Sequence, residues 1–235
     1  MTRLYARPDM AARIPLAREP VLESWNGREH PDQLRLRAYL DTVAAQVGSA
    51  AWPAQESRVV ELIVGLPSTS PVDRGGRDLD NYLFPVARRL GAGRIAAAFA
   101  RKVHQQGSTI AIGPAAPGID LPSSLPLSVR TSVSTDSRAW KEAVHRACRD
   151  VVTEPLPAGP VALRIQFSVS TRRNWAALWK PAIDALGPVL GIPDPAHPFR
   201  PADDRVVDLE LHRHIDDALV HDVVIKAWWH SATVV

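Results

Sequence analysis

RDLDNYLFPVARRLG (Arg77–Gly91) and RNWAALWKPAIDALG (Arg173–Gly187) stand 96 residues apart and read as one segment written twice. Leu79, Leu83, Val86 and Leu90 of the first coincide with Trp175, Trp179, Ala182 and Leu186 of the second. That spacing is the i, i+4, i+7, i+11 face of an amphipathic helix, repeated at the same phase. Pro85 and Pro181 also coincide, and each reads as an early helical position, where a missing N–H costs least.

The likeness extends outward in both directions. Apolar, β-branched runs precede both segments, Arg58–Gly65 and Val161–Phe167, and both read as buried strands. Upstream of these lie two more amphipathic helices, one carrying Leu36, Tyr39, Leu40, Val43 and Val47, the other Trp140, Val144, Ala147, Cys148 and Val151. Downstream, Gly93–Val103 matches Asp204–His214, and Ser108–Gly113 and Asp222–Trp229 read as closing strands. Weak opening strands near Val21–Trp25 and Leu127–Val133 complete a β-α-β-α-β-β order, twice. The expected fold is therefore α/β with a mixed sheet, built from residues 1–116 and 117–235 and joined by the Pro/Gly/Ser-rich stretch Gly113–Pro126.

Composition sets outer bounds on function. A chain of 235 residues, 46% apolar and 23% charged, has room for two units of this size. No apolar run is long enough for a membrane span, and the arginine-bearing opening has no apolar signal core. Cys148 is the only cysteine, which excludes an internal disulfide and a cysteine-rich zinc site. It falls on an apolar helix stripe and reads as a core residue. A reducing, cytoplasmic setting is expected. The net charge of +3 belongs wholly to residues 1–120, with 15 basic and 12 acidic side chains, a weak argument for a polyanion. Of 28 cations, only Lys102, Lys141, Lys180 and Lys226 are lysine.

Three segments hold polar residues that a core does not explain. Asp78, Asp80 and Asn81 stand at a helix start, where two carboxylates can converge on a hard divalent cation or simply serve the helix as caps. Lys180 and Asp184 are one helical turn apart, an ion pair on a wet face or, given the scarcity of lysine, a point charge suited to phosphate. Asp203 and Asp204 follow a Pro-rich loop at a strand start, where only one of two adjacent side chains can join a given face.

Taken together, D-x-D-N at 78–81, K-x-x-x-D-A-L at 180–186 and D-D-x-V at 203–206, placed on this order of elements, resemble the RusA-like Holliday junction resolvase family. The resemblance implies a homodimeric mixed α/β fold and Mg²⁺- or Mn²⁺-dependent cleavage of branched DNA. It puts the metal-binding and catalytic acids at Asp78, Asp80 and Asp203 or Asp204, with Lys180 as the basic partner. The motif is split, however. Phe84, Arg88 and Ala92-Gly93 stand in the first copy where the lysine, the helix aspartate and the aspartate pair are expected, and Asn174 and Ala176 replace the first two aspartates of the second.

Two accounts fit that split. In one, the halves form a pseudo-dimer and Asp78, Asp80, Asp203 and Lys180 meet across the interface as one composite site. In the other, chemistry is lost and the fold serves as a DNA-binding or protein-assembly subunit. Arg74, Arg77, Arg172 and Arg173, beside the two motif helices, are the expected phosphate contacts. Asp208, Glu210, His212 and His214 alternate on one strand and read as a solvated sheet face rather than a transition-metal site. Trp175, Trp179, Trp228 and Trp229 read as packing residues rather than base-stacking platforms.

Overall fold

The computed structural model describes residues 4–48, 56–118, 127–135 and 137–233, so residues 119–126 of the joining stretch lie outside the described residues. Eight strands make one mixed sheet: β1 Arg13–Pro15, β2 Arg58–Leu66, β3 Ile95–His104, β4 Thr109–Pro114, β5 Leu127–Thr131, β6 Val161–Val169, β7 Val206–Ile215 and β8 Val223–Ser231. Their order across the sheet is β1-β4-β2-β3-β7-β6-β8-β5. Read inward from either edge, the order is opening strand, closing strand, then two parallel strands, β2 with β3 and β6 with β7. The halves meet where β3 and β7 pair antiparallel, with Phe99 opposite Glu210 and Arg101 opposite Asp208.

One face of this sheet carries the helices α1 Pro31–Val47, α2 Leu79–Leu90, α3 Arg138–Val151, α4 Trp179–Asp184 and α5 Gly187–Leu190. Alternate residues Val60, Leu62 and Val64 of β2 and Leu163, Ile165 and Phe167 of β6 share a core with Tyr39, Leu83, Trp140 and Trp179 from the helices. Cys148 lies in that core, as do Trp175 and Trp179, while Trp228 is also buried. No helix among the described residues is long and apolar enough to cross a membrane.

Expectations need correction at three places. The first opening strand is β1, not Val21–Trp25. Pro85 stands inside α2 rather than near its start, so the Asn81 carbonyl loses its helical donor. The Glu23 N–H donates to that carbonyl at 2.8 Å, which draws this stretch onto the helix and away from the sheet. The second correction concerns the repeated helix, which is continuous only in the first copy. In the second it breaks into a 3-10 turn, Trp175–Leu178, followed by α4 and α5. Pro181 removes one donor there, and Gly187 is pressed so closely that a Cβ would meet the Ile192 side chain at 2.7 Å and the Pro198 carbonyl at 3.1 Å. The buried face survives the break, with Trp175, Trp179, Ala182 and Leu186 all enclosed.

The third correction is the polar face of β7, where His212 is buried and Asp208, Glu210 and His214 are only partly exposed. An N-terminal segment crosses it, held by hydrogen bonds from the Ala6 N–H to the Ala116 carbonyl (3.1 Å) and from the Gly118 N–H to the Leu4 carbonyl (2.8 Å). Arg7 lies 4.9 Å over the Phe99 ring and donates to Glu61 (2.7 Å), Asp208 and Glu210 (2.9 Å). His212 is buried, and its Nδ1 accepts the Tyr5 N–H at 3.2 Å. Arginines therefore engage these carboxylates. Burying them unpaired would cost several kcal/mol each, about.

Candidate acidic site

The site forms at one end of the β3–β7 seam and begins with α2. Asp78 takes the extended conformation of a helix cap, yet its side chain bonds to no backbone N–H of the first turn. It accepts instead from the Asn81 side-chain amide at 2.9 Å. Asp80, in the first turn, is only 3% exposed, and its Oδ2 has no hydrogen-bond partner. Neither acid is engaged in capping. A carboxylate oxygen so buried and without a hydrogen bond is costly to keep.

The remaining members come from the second half of the chain. Lys180 on α4 sends its Nζ to Asp203 Oδ2 at 2.7 Å and Asp184 Oδ1 at 3.1 Å, with Asp78 and Asp80 each 3.9 Å away. The last two separations are ion pairs without a hydrogen bond. The other oxygen of Asp184 accepts from Lys141 on α3 at 2.6 Å. Residues 78, 80, 180, 184 and 203 are thus brought to one ammonium group, across the two halves.

Asp204 departs from the group. Asp203–Arg205 forms a 3-10 turn ahead of β7, and Asp204 Oδ2 accepts the Gly76 N–H at 3.0 Å. Only one of the pair faces Lys180, as expected, although a turn rather than strand alternation separates them. The turn is anchored by Arg205, whose guanidinium donates to the carbonyls of Gly159 (2.9 Å), Leu190 (3.1 Å), Leu156 (3.2 Å) and Pro157.

Lys102 and Lys141 are the members that sequence reasoning missed. Near the end of β3, buried Lys102 donates to the Arg77 carbonyl at 3.0 Å and to the Asp204 carbonyl. One ammonium group therefore tethers the loop presenting Asp78 to the turn presenting Asp203. Three of the four lysines converge here, so the rarity of lysine was a usable signal for all three.

Electrostatics follow from this crowding. Burial pushes Asp80 up to about 7, with Asp203, Asp78 and Asp184 adding to the shift and Lys180 opposing it. Burial likewise carries Asp78 to about 6, aided by Asp203. Burial lowers Lys102 to about 8. It works against the charge of Lys180 too, but Asp80, Asp203 and Asp184 outweigh it and raise that lysine. Five carboxylates face three ammonium groups, so the cluster is short of positive charge.

Hard oxygen donors, an orphaned buried oxygen and surplus negative charge are a chemistry that fits a hard divalent cation. Among the described residues, no three of these acids already stand in a metal-coordinating arrangement. The four arginines expected to hold phosphate do not form one patch. Arg74 is exposed and Arg77 half-buried beside the acidic cluster, whereas Arg172 and Arg173 follow β6 at the opposite end of the sheet. Compared with protein-family models, curated proteins and solved structures, the chain matches none.

Proposed function

We propose that the chain is a RusA-like DNA-acting protein that hydrolyses a phosphodiester of branched DNA, supported by Mg²⁺ or Mn²⁺, at this composite site. One observation carries the reading: acids at 78 and 80 and the lysine and acids at 180, 184 and 203, which the sequence distributes between two halves, meet around a single ammonium. The matching strand order of residues 1–116 and 117–235 supports a duplicated unit acting as a fused pseudo-dimer. Asp78, Asp80 and Asp203 are the residues that would hold the ion. Such an ion supplies a Lewis acid for the phosphate oxygens and lowers the pKa of an attacking water.

The protein's own groups do the rest. Lys180 is aimed by Asp203 and Asp184 and offers compact positive charge to a phosphate oxygen. Lys141 holds Asp184 in place for that task. Lys102 fixes the spacing between the two acid-bearing loops, and Arg74 and Arg77 flank the cluster where a DNA backbone would pass. The buried thiol of Cys148 suits a reducing, cytoplasmic setting.

One observation favours a second reading, a non-catalytic DNA-binding or assembly subunit: Lys180 already occupies the carboxylates' common point. An end-labelled four-way junction, incubated with and without Mg²⁺ or Mn²⁺ and examined for both cuts and band shifts, separates the two. Metal-dependent cuts that fall more than about a hundredfold in Asp80→Asn are expected, as loss of a group worth several kcal/mol at the transition state implies. A band shift without cuts favours the second reading. Neither signal leaves only a protein-assembly role.

A further inference from the structure

The acidic cluster has a counterpart position, and it is closed. Phe99 and Glu210 face each other across the seam, each the fifth residue of its ten-residue strand. Half a turn about that pair exchanges β3 with β7, β2 with β6, β4 with β8 and β1 with β5. The aligned halves set Asp78 and Asp80 against Asn174 and Ala176, and Lys180, Asp184 and Asp203 against Phe84, Arg88 and Ala92. None of these positions holds a carboxylate.

Rings occupy the space instead. Trp175 and Trp179 pack edge to face at 4.8 Å, and Phe84 meets Trp179 at 6.2 Å. The Trp175 indole N–H donates to the Ala92 carbonyl at 3.0 Å, so the aromatic group bonds the very turn that carries Asp203 at the other end. Arg213 lies 5.8 Å over Trp175 and donates to the Gly93 carbonyl at 2.7 Å. With Trp175 1% exposed and no carboxylate at the counterpart positions, this end has no acid to hold an ion.

We infer that each chain has one strand-cutting centre, so that one encounter with a junction breaks a single phosphodiester and leaves a nick instead of two symmetric incisions. The inference rests on the nuclease reading above. In the step itself a water oxygen bonds to phosphorus and the bond from phosphorus to one sugar oxygen breaks. One proton of the water ends on that leaving oxygen and the other is released, leaving a hydroxyl and a phosphate monoester.

The test uses the full chain, Mg²⁺ and a supercoiled plasmid carrying an extruded inverted repeat, followed over time on a gel. Nicked circles are expected to build up first, with linear molecules appearing only after a lag as separate encounters cut the second strand. Linear product from the outset, with no build-up of nicked circles, overturns the inference while leaving the nuclease reading intact. No incision of any kind removes the nuclease reading, and this inference with it.

Discussion

The two ends of the β3–β7 seam lie on one strand register, but one is entered by the continuous helix α2 and the other by the 3-10 turn Trp175–Leu178, and their side chains differ in kind. At one end Asp78, Asp80, Asp184 and Asp203 surround Lys180; at the other, Phe84, Trp175 and Trp179 pack against one another under Arg88 and Arg213. The first end is crowded with like charge and keeps an oxygen without a hydrogen bond out of water. The second buries its rings, with the Trp175 indole N–H bonded to the Ala92 carbonyl and the Trp179 indole nitrogen left without a partner. Apolar packing and electrostatic load are thus divided between sequence-matched positions whose backbones differ, a continuous helix at one end and a broken one at the other.

The comparison breaks most visibly at the packed end. Trp175→Ala is expected to cost about 3–5 kcal/mol of folding stability, read from urea denaturation, without altering metal-dependent cutting per folded molecule. Equal loss of cutting would show that the two ends are not separable.

A smaller effect of opposite sign is expected at the charged end. Because burial raises Asp80 to about 7, against about 4 in an unfolded chain, the folded protein retains a proton that the unfolded chain has lost. Its contribution is fully present below about pH 4 and is lost as pH rises through 7. In chelator, Asp80→Asn should therefore be roughly 1–3 kcal/mol more stable than the parent at pH 8, with the gap narrowing at pH 5. A destabilised variant at pH 8 would mean that the ion pair with Lys180 outweighs the burial of Asp80.

The smallest effect sharpens the comparison from outside. Arg74→Gln, beside the acidic cluster, should weaken junction binding by about tenfold or less and reduce the salt slope by about 1, whereas Arg172→Gln at the far end should change neither. Equal losses in a band-shift titration would place DNA along the whole seam.

How much of this was legible in the sequence differs by level. Helix faces and long strands were readable because burial imposes a period, and that period persisted at 175–186 even where the helix itself broke. The first opening strand was not, because the attraction of Val21–Trp25 to α2 depends on a carbonyl freed by Pro85. Nor was the covering of β7, since no local pattern tells that Arg7 crosses the strand bearing Asp208 and Glu210. For the acidic cluster, residue types were readable and proximity was not: the tether from Lys102 to the loops at 77 and 204 is a contact between distant parts of the chain.

The seam also governs when the chain can finish folding. β3 has β2 on one side and only β7 on the other, and β7 begins at Val206, more than a hundred residues later. While a ribosome has released only the first half, the edge Ile95–Phe99 is apolar and unpaired, a template for any other strand. Pairings so distant in sequence close late. The carboxylates at 78 and 80 can meet Lys180 only once the second half has been made, so a newly made half-chain does not carry the electrostatic burden of the completed cluster.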